Sequence, residues 1–183
     1  LDYPRLKAVV VNPAPTAPEI TMSATTAAFT PAATPTDLCL LGGSAAKTIR
    51  VLEARISGTA TASTIVDIFA IKRSAANTVG TFVAATIVPH DSSDPPASPT
   101  VGHYTANPTI NGTVGTIAHR KVMFPIAGTA VADVNQLLLP ESPYSKLITL
   151  RGTAQQLAIN FGGAALPAGA ASWRCVFVWQ EIA

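Results

Sequence analysis

The stretch that decides the fold lies near the end of the chain and reads Trp173-Arg174-Cys175-Val176-Phe177-Val178-Trp179-Gln180-Glu181. Large apolar side chains occupy every second position, and a β-strand would place all of them on one face. That face holds Trp173, Cys175, Phe177 and Trp179. Val176 and Val178 line the opposite face, and a strand that is apolar on both faces belongs between two layers. The segment therefore predicts a central strand in a layered β structure.

Similar runs, rich in Val, Ile, Thr and aromatic residues, recur back to Thr21 and alternate with Gly, Pro, Asn and Asp clusters. We predict strands at roughly Met22–Thr30, Asp37–Leu41, Thr48–Ser57, Thr64–Arg73, Thr81–Val88, Thr100–Thr105, Val114–Phe124, Leu147–Arg151, Gln156–Phe161 and Trp173–Glu181. A short helical turn is predicted only at Val131–Leu139. The Asn111-Gly112 pair predicts a tight hairpin turn. Many short strands without long helices predict an all-β, antiparallel β-sandwich of the jelly-roll kind.

The first residues have a different composition, with Pro4, Pro13, Pro15 and Pro18 around the apolar run Ala8–Val11. Proline at this density disfavours a helix and favours extended geometry. We predict two regions, an extended arm over 1–20 and a sandwich domain over 21–183. A frayed terminus is the alternative. In the arm interpretation, the residues in contact with another polypeptide are Val9, Val10, Val11, Pro13 and Pro15.

Composition limits the class of protein. The chain has 183 residues, enough for one domain, and 32 Ala and 22 Thr are among them. Charged residues make up 12%, about half of the usual share of roughly 25%. The formal net charge of +2 is too balanced for a dedicated nucleic-acid or polybasic membrane binder. Polar residues interrupt the charge-free stretch Gly152–Trp173, so we expect no membrane span.

The two cysteines, Cys39 and Cys175, both lie within apolar runs. A disulfide between them is possible, but we expect two buried free thiols.

Signatures of catalysis are weak in this sequence. Gly42-Gly43-Ser44 lacks the second glycine of a nucleophile elbow. His90, Asp91 and Asp94 begin a proline-rich stretch, Pro89–Thr113, and offer too few ligands at a recognised spacing for a metal. We expect the first half of this stretch to be a long exposed loop, a usual place for contacts. We predict no enzyme, no catalytic residue, no metal and no cofactor.

The remaining candidates also have structural interpretations. A glycosidase would need two facing carboxylates, and nothing in the spacing selects a pair. The carboxylates in or near predicted strands are Asp37, Glu53, Asp67, Asp133 and Glu141. Alternation places His119 and Lys121 on one face with Arg120 opposite, which favours a solvated strand over a phosphate site. Lys72-Arg73 is expected to keep a sheet edge soluble. Trp173 and Trp179 could stack on a sugar, but their shared face favours the core.

Several segments carry a resemblance to a known group of proteins. Phe29-Thr30-Pro31-Ala32-Ala33-Thr34-Pro35-Thr36-Asp37, followed by a Gly-Ser turn and the strand Lys47–Val51, resembles a segment of small virion-associated proteins of tailed bacteriophages. Asp67–Ser74, Tyr104–Pro108 and Leu150–Asn160 look like the same group. The likeness covers about Thr26 to Glu181 and leaves the proline-rich arm outside. It implies a structural virion component with a β-sandwich fold and transfers no functional residues.

Composition agrees with that expectation, because small side chains cost little entropy to order and few charges need desolvation when copies pack together. We expect a capsid decoration, or cement, protein in the virion, assembled in the cytoplasm of the bacterial host. Its expected partners are other copies of itself, as a homotrimer, and the major capsid protein or other virion proteins. The alternative is a tail-fibre or spike module that binds host-surface glycans. An enzyme such as a depolymerase is the third hypothesis.

Overall fold

A computed structural model describes residues 20–62, 64–126, 135–139, 146–166 and 170–182. Apart from Ile20, the predicted arm lies outside these ranges, and so do its predicted contacts Val9, Val10, Val11, Pro13 and Pro15. The described residues form twelve strands: β1 Ile20–Thr25, β2 Asp37–Gly42, β3 Thr48–Ala60, β4 Thr64–Arg73, β5 Thr81–Ala84, β6 Ile87–Pro89, β7 Val101–Ala106, β8 Thr113–Phe124, β9 Asn135–Leu139, β10 Ile148–Leu150, β11 Gln156–Asn160 and β12 Ala170–Ile182. Nothing in these ranges forms a helix that could cross a bilayer.

The strands form two antiparallel sheets that pack face to face, which confirms the predicted all-β sandwich. The first sheet has the order β10-β3-β12-β1-β6, and β9 pairs with β3 beside β10. The second sheet has the order β5-β7-β2-β11-β4-β8. Because side chains alternate along each strand, one apolar face of each sheet turns inward and the two faces share one core.

The central position of β12 follows from its sequence. Trp173, Cys175, Phe177 and Trp179 are buried between the sheets, as the alternation predicted. The ring of Trp173 stacks on Phe124 with centroids 4.3 Å apart, and its indole donates a hydrogen bond to the Thr59 carbonyl. Both tryptophans therefore belong to the core and offer no exposed sugar platform. The opposite face is half-buried at Val176 and Val178, so among the described residues β12 is covered fully on one face only.

The cysteines are joined, so the expectation of free thiols is wrong. Cys39 on β2 and Cys175 on β12 form a disulfide that links the two sheets through the core. Their Cα atoms are 6.6 Å apart, within the range that a disulfide spans. The reason is geometric: both side chains point inward from facing strands, a relation between residues 136 positions apart.

Residues 74–112 connect β4 to β8 and supply strands at the edges of both sheets; we call them the excursion. A backbone hydrogen bond from Ser74 N to the Gly112 carbonyl joins the two ends of the excursion. Within it, β6 extends the first sheet at β1, while β7 and β5 extend the second sheet at β2. The predicted single strand Thr81–Val88 is therefore two strands that join different sheets.

Two local predictions fail for tertiary reasons. Gly112 has the expected positive φ of 53°, but Asn111-Gly112 joins no hairpin, because β7 pairs with β2 and β8 pairs with β4. The helical turn predicted at Val131–Leu139 is wrong where the structure describes it. Asn135–Leu139 is strand β9, paired with β3, and Leu138 and Leu139 are buried. Pairing with an available strand outweighs local helical spacing.

Candidate functional site

The candidate site is a cleft of about 360 Å³ on the outer face of the second sheet, beside the excursion. We call it the outer cleft. It draws residues from β2, β5, β7 and β11 and from the segments around them. The described residues that line it are Leu40, Gly42, Gly43, Ala76, Asn77, Val79, Phe82, Ser98, Thr100, Tyr104, Thr153 and Gln156. Its volume falls within the range of small-ligand sites.

Beneath the cleft lies a buried carboxylate whose hydrogen-bonding capacity is filled. Asp37 Oδ1 accepts hydrogen bonds from Arg73 Nη2 at 2.6 Å and from Asn160 Nδ2 at 2.5 Å. Its Oδ2 accepts from Arg73 Nε at 3.1 Å and from Asn77 Nδ2 at 2.6 Å. Asp37 and Arg73 are 1% and 2% exposed. With four donor atoms around it, this carboxylate holds parts of the fold together and is not a candidate acid or base.

Arg73 also donates a hydrogen bond to the Thr113 hydroxyl and so holds the return of the excursion. The prediction that Lys72-Arg73 solubilises a sheet edge is therefore wrong for Arg73. β4 lies inside the second sheet, between β11 and β8. Lys72 reaches across the sandwich instead, and its Nζ donates to the Thr149 carbonyl at 2.9 Å.

An aromatic pair forms one wall of the outer cleft. The rings of Phe82 and Tyr104 meet edge to face, with centroids 5.1 Å apart and planes at 60°, an arrangement that aromatic pairs favour. Burial raises the pKa of Tyr104, and the nearby Asp37 carboxylate raises it further, whereas a hydrogen bond with Asn77 acts in the opposite direction. The phenol is thus neutral at physiological pH, and because Tyr104 is only 6% exposed, its ring supports the half-buried Phe82 and adds little open surface to the cleft.

The rim of the cleft is strained. Val79 has φ of 57° and is 81% exposed. A β-branched residue rarely adopts this left-handed backbone conformation, and such strain clusters at functional sites. The next residue, Gly80, also has positive φ, and a Cβ there would lie 2.8 Å from the Ala106 carbonyl oxygen. The excursion therefore holds an apolar side chain out at the edge of the cleft.

The first part of the Pro89–Thr113 stretch, around His90, Asp91 and Asp94, is an exposed loop stabilised by its own hydrogen bonds. Asp91 Oδ1 accepts hydrogen bonds from the Ser93 amide at 2.9 Å and the Ser93 hydroxyl at 2.7 Å. These bonds lower the pKa of Asp91. In the part of the chain that the structure describes, no group of three or more His, Cys, Asp or Glu side chains is placed to hold a metal.

The strand pair β4 and β8 carries a charged cluster on its outer face. His119 Nε2 and Lys121 Nζ lie 2.7 Å and 3.0 Å from Asp67 Oδ1, and all three side chains are solvated. The hydrogen bonds from Lys121 and then His119 lower the pKa of Asp67. His119 and Lys121 share a face, as predicted, and both side chains face Asp67.

The other catalytic candidates have structural partners. Ser44 is buried, and its Oγ accepts from the Ala46 and Lys47 amides at 3.1 Å and 3.2 Å, which closes the turn before β3. Glu53 pairs with Arg55 on β3. Asp133 and Glu141 lie outside the described residues. Asp37, Glu53 and Asp67 thus each face a basic side chain.

A buried histidine on β7 should make the protein sensitive to acid. His103 faces the core and stacks on Phe29 with ring centroids 4.3 Å apart, and among the described residues its Nδ1 has no hydrogen-bond partner. Burial lowers its pKa from the ordinary value of 6.5. Protonation is then easier in the unfolded chain, so this contribution to stability is present above about pH 6.5 and is lost as the pH falls below it.

We therefore expect the urea midpoint to fall between about pH 7.5 and about pH 5.5, and His103→Phe to reduce that fall. His90→Gln, in the exposed loop, is the matched control and should leave the fall unchanged. Equal pH dependence in the wild type and in His103→Phe would contradict the role assigned to this imidazole.

Comparison of the chain with family models, with curated proteins and with solved structures finds no match.

Sequence reasoning did not find the outer cleft. Its lining comes from residues spread between Leu40 and Gln156, which only the crossing of the excursion brings together. One signal was present, because Pro89–Thr113 was expected to contribute contacts, and Ser98, Thr100 and Tyr104 come from that stretch.

Proposed function

We propose that this chain is a structural protein of a tailed-bacteriophage virion, a capsid decoration protein that acts as a homo-oligomer, with a trimer as the expected form. The observation that carries the proposal is the strand order. Without the excursion strands, the first sheet reads β1-β12-β3 followed by β9 and β10, and the second reads β2-β11-β4-β8.

This order supports a jelly roll. In an eight-stranded jelly roll, one sheet holds the first, eighth, third and sixth strands, and the other holds the second, seventh, fourth and fifth. The chain follows that scheme if β9 and β10, which share one edge of β3, count as a single broken strand. Jelly rolls form many viral capsid and lectin domains. The region from Thr26 to Glu181 resembles virion-associated proteins of tailed bacteriophages, and this resemblance favours a capsid role over a lectin role.

The surface also supports a role in packing. Ile65 and Met123 are cross-strand neighbours on the outer face of β4 and β8 and are 66% and 52% exposed. Exposed apolar neighbours of this kind mark interaction surfaces when they form a patch. The Cys39–Cys175 disulfide fits a protein that works outside the reducing cytoplasm, and virion surfaces are among the places where disulfides persist.

The direct test is the copy number in the particle. Quantitative mass spectrometry of purified virions should find hundreds of copies, because a decoration protein covers a repeating shell. A handful of copies per particle would move the role to the tail or neck and overturn the proposal.

A second candidate is a glycan-binding module of a tail fibre or spike. The observation that favours it is the outer cleft, whose wall includes Tyr104 and Thr100 from the Pro89–Thr113 stretch. A glycan array probed with the full chain tests it. Binding that Phe82→Ser abolishes would support this function, and an empty array would count against it.

A further inference from the structure

Two clefts of about 360 and 350 Å³ adjoin at β10 and share the residues around it. Together they form what we call the basic surface, because their described lining contains no carboxylate and four basic side chains: Arg50, Lys72, Lys146 and Arg151. These are four of the 12 Lys and Arg residues in the chain. A concave surface lined by charges of one sign attracts ligands of the opposite sign.

Two of these cations are available to a partner. The Lys72 ammonium donates to the Thr149 carbonyl and so holds the floor of the basic surface in place. The side chains of Lys146 and Arg151 are exposed and form no ion pair or hydrogen bond with a described residue. A carboxylate that reaches this surface can therefore form charge-assisted hydrogen bonds with both of them.

The chain carries unpaired carboxylates in the turn that follows β6. Asp91 and Asp94 enclose this turn, which the hydrogen bond from the Asp94 amide to the Asp91 carbonyl closes at 3.0 Å. We call residues 91–94 the acidic turn. The bonds from the Ser93 amide and hydroxyl lower the pKa of Asp91, so this exposed carboxylate is ionised at neutral pH. Among the described residues, neither aspartate faces a basic side chain.

The basic surface and the acidic turn lie at opposite edges of the first sheet. Its strand order is β10-β3-β12-β1-β6, so the basic surface is at the β10 edge and the acidic turn follows the β6 edge. Both lie at one level of the sheet, because linked residues run directly across it in the order Thr149, Arg50, Gln180, Thr21 and His90. Four strand spacings, roughly 19 Å in all, separate the two edges. A contact between them therefore requires two copies.

We propose that the acidic turn of one copy binds the basic surface of a second copy, head to tail. The inference deepens the homo-oligomer part of the proposed function and rests on it. Because each copy contributes a different edge, the contact is heterologous, and heterologous contacts close into rings when the rotation between copies allows it. A single exposed ion pair contributes little, so the assembly depends on two carboxylates at each contact and on ring closure, which makes the last contact intramolecular.

Charge reversal tests the contact on the purified full chain, with association measured by sedimentation velocity. Lys146→Glu/Arg151→Glu reverses the basic surface, and Asp91→Lys/Asp94→Lys reverses the acidic turn. We expect an oligomeric wild type, and we expect each variant to associate at least about tenfold more weakly, because like charges then face each other across the contact. Raising the salt concentration from about 0.05 M to about 0.5 M should also weaken association of the wild type.

Mixing the two reversed proteins separates this contact from other causes. The reversed turn of one protein is then complementary to the reversed surface of the other, so we expect the mixture to associate although neither protein does so alone. Arg120→Glu/Arg174→Glu is the matched control, because it reverses two exposed cations that do not line the basic surface. This control should associate like the wild type, and circular dichroism should show the same fold in every variant.

A monomeric wild type would overturn the inference, and so would a mixture of reversed proteins that does not associate. An oligomer that survives both reversals would overturn this contact while leaving the homo-oligomer in place. An oligomer that only the reversal of the basic surface disrupts would also overturn it, because the partner would then be a different acidic group. The purified chain suffices for these measurements, so their failure is separable from a low copy number in virions.

Discussion

Replacing Arg73 with alanine should lower the free energy of unfolding by about 3–5 kcal/mol. The guanidinium supplies two of the four hydrogen bonds to the Asp37 carboxylate, which is 1% exposed. Its removal leaves a buried negative charge without a positive partner, and the amides of Asn77 and Asn160 cannot replace that charge. The bond from Arg73 to Thr113, which holds the excursion, is lost as well. Urea denaturation followed by circular dichroism measures the change.

Two further variants separate the ion pair from other effects. Arg174→Ala removes an exposed arginine on β12 and should change the stability by less than about 0.5 kcal/mol. Asp37→Leu/Arg73→Met replaces both charges with apolar side chains and should cost less than Arg73→Ala alone, because no charge is left unpaired. A double variant less stable than Arg73→Ala would show that the cost does not come from the orphaned carboxylate.

The Cys39→Ala/Cys175→Ala variant should lose about 4–5 kcal/mol of unfolding free energy relative to the oxidised protein. The bond closes a loop of 136 residues, and long loops gain most from closure, because the crosslink removes many conformations of the unfolded chain. Urea denaturation with and without reductant measures the effect.

Reductant provides the control for the disulfide. It should destabilise the wild type by a similar amount and should leave the double alanine variant unchanged, since that variant has no bond to reduce. A wild type that unfolds at the same urea concentration with and without reductant would show that the crosslink adds nothing to stability.

The strands were predictable wherever local pattern and tertiary role agree. Thr64–Arg73 was predicted with both of its ends, because alternation and flanking turns define it. The inward-facing side chains of β12 were predicted from the two-residue alternation alone. β9 was missed because its strand conformation comes from pairing with β3 and not from its own sequence.

The chemistry of the site was predictable to a smaller extent, because it depends on distant partners. Nothing near Arg73 in the sequence indicates that it will pair with Asp37, 36 positions away, in the protein interior. The disulfide was one of two open alternatives, and only the facing of β2 and β12 decides between them. The outer cleft could not be predicted from the sequence, because it depends on β5 and β6 joining different sheets.

The place of β12 between β1 and β3 has a consequence for synthesis. Ribosomes make β1 and β3 early, but the strand that pairs with both, Ala170–Ile182, is made more than a hundred residues after either of them. Until then both nascent strands have an open edge, which can pair with a strand of another chain. We therefore expect the sandwich to close only once β12 has left the ribosome. A chain whose translation stops before β12 would keep those edges open and become a substrate for chaperones or proteases.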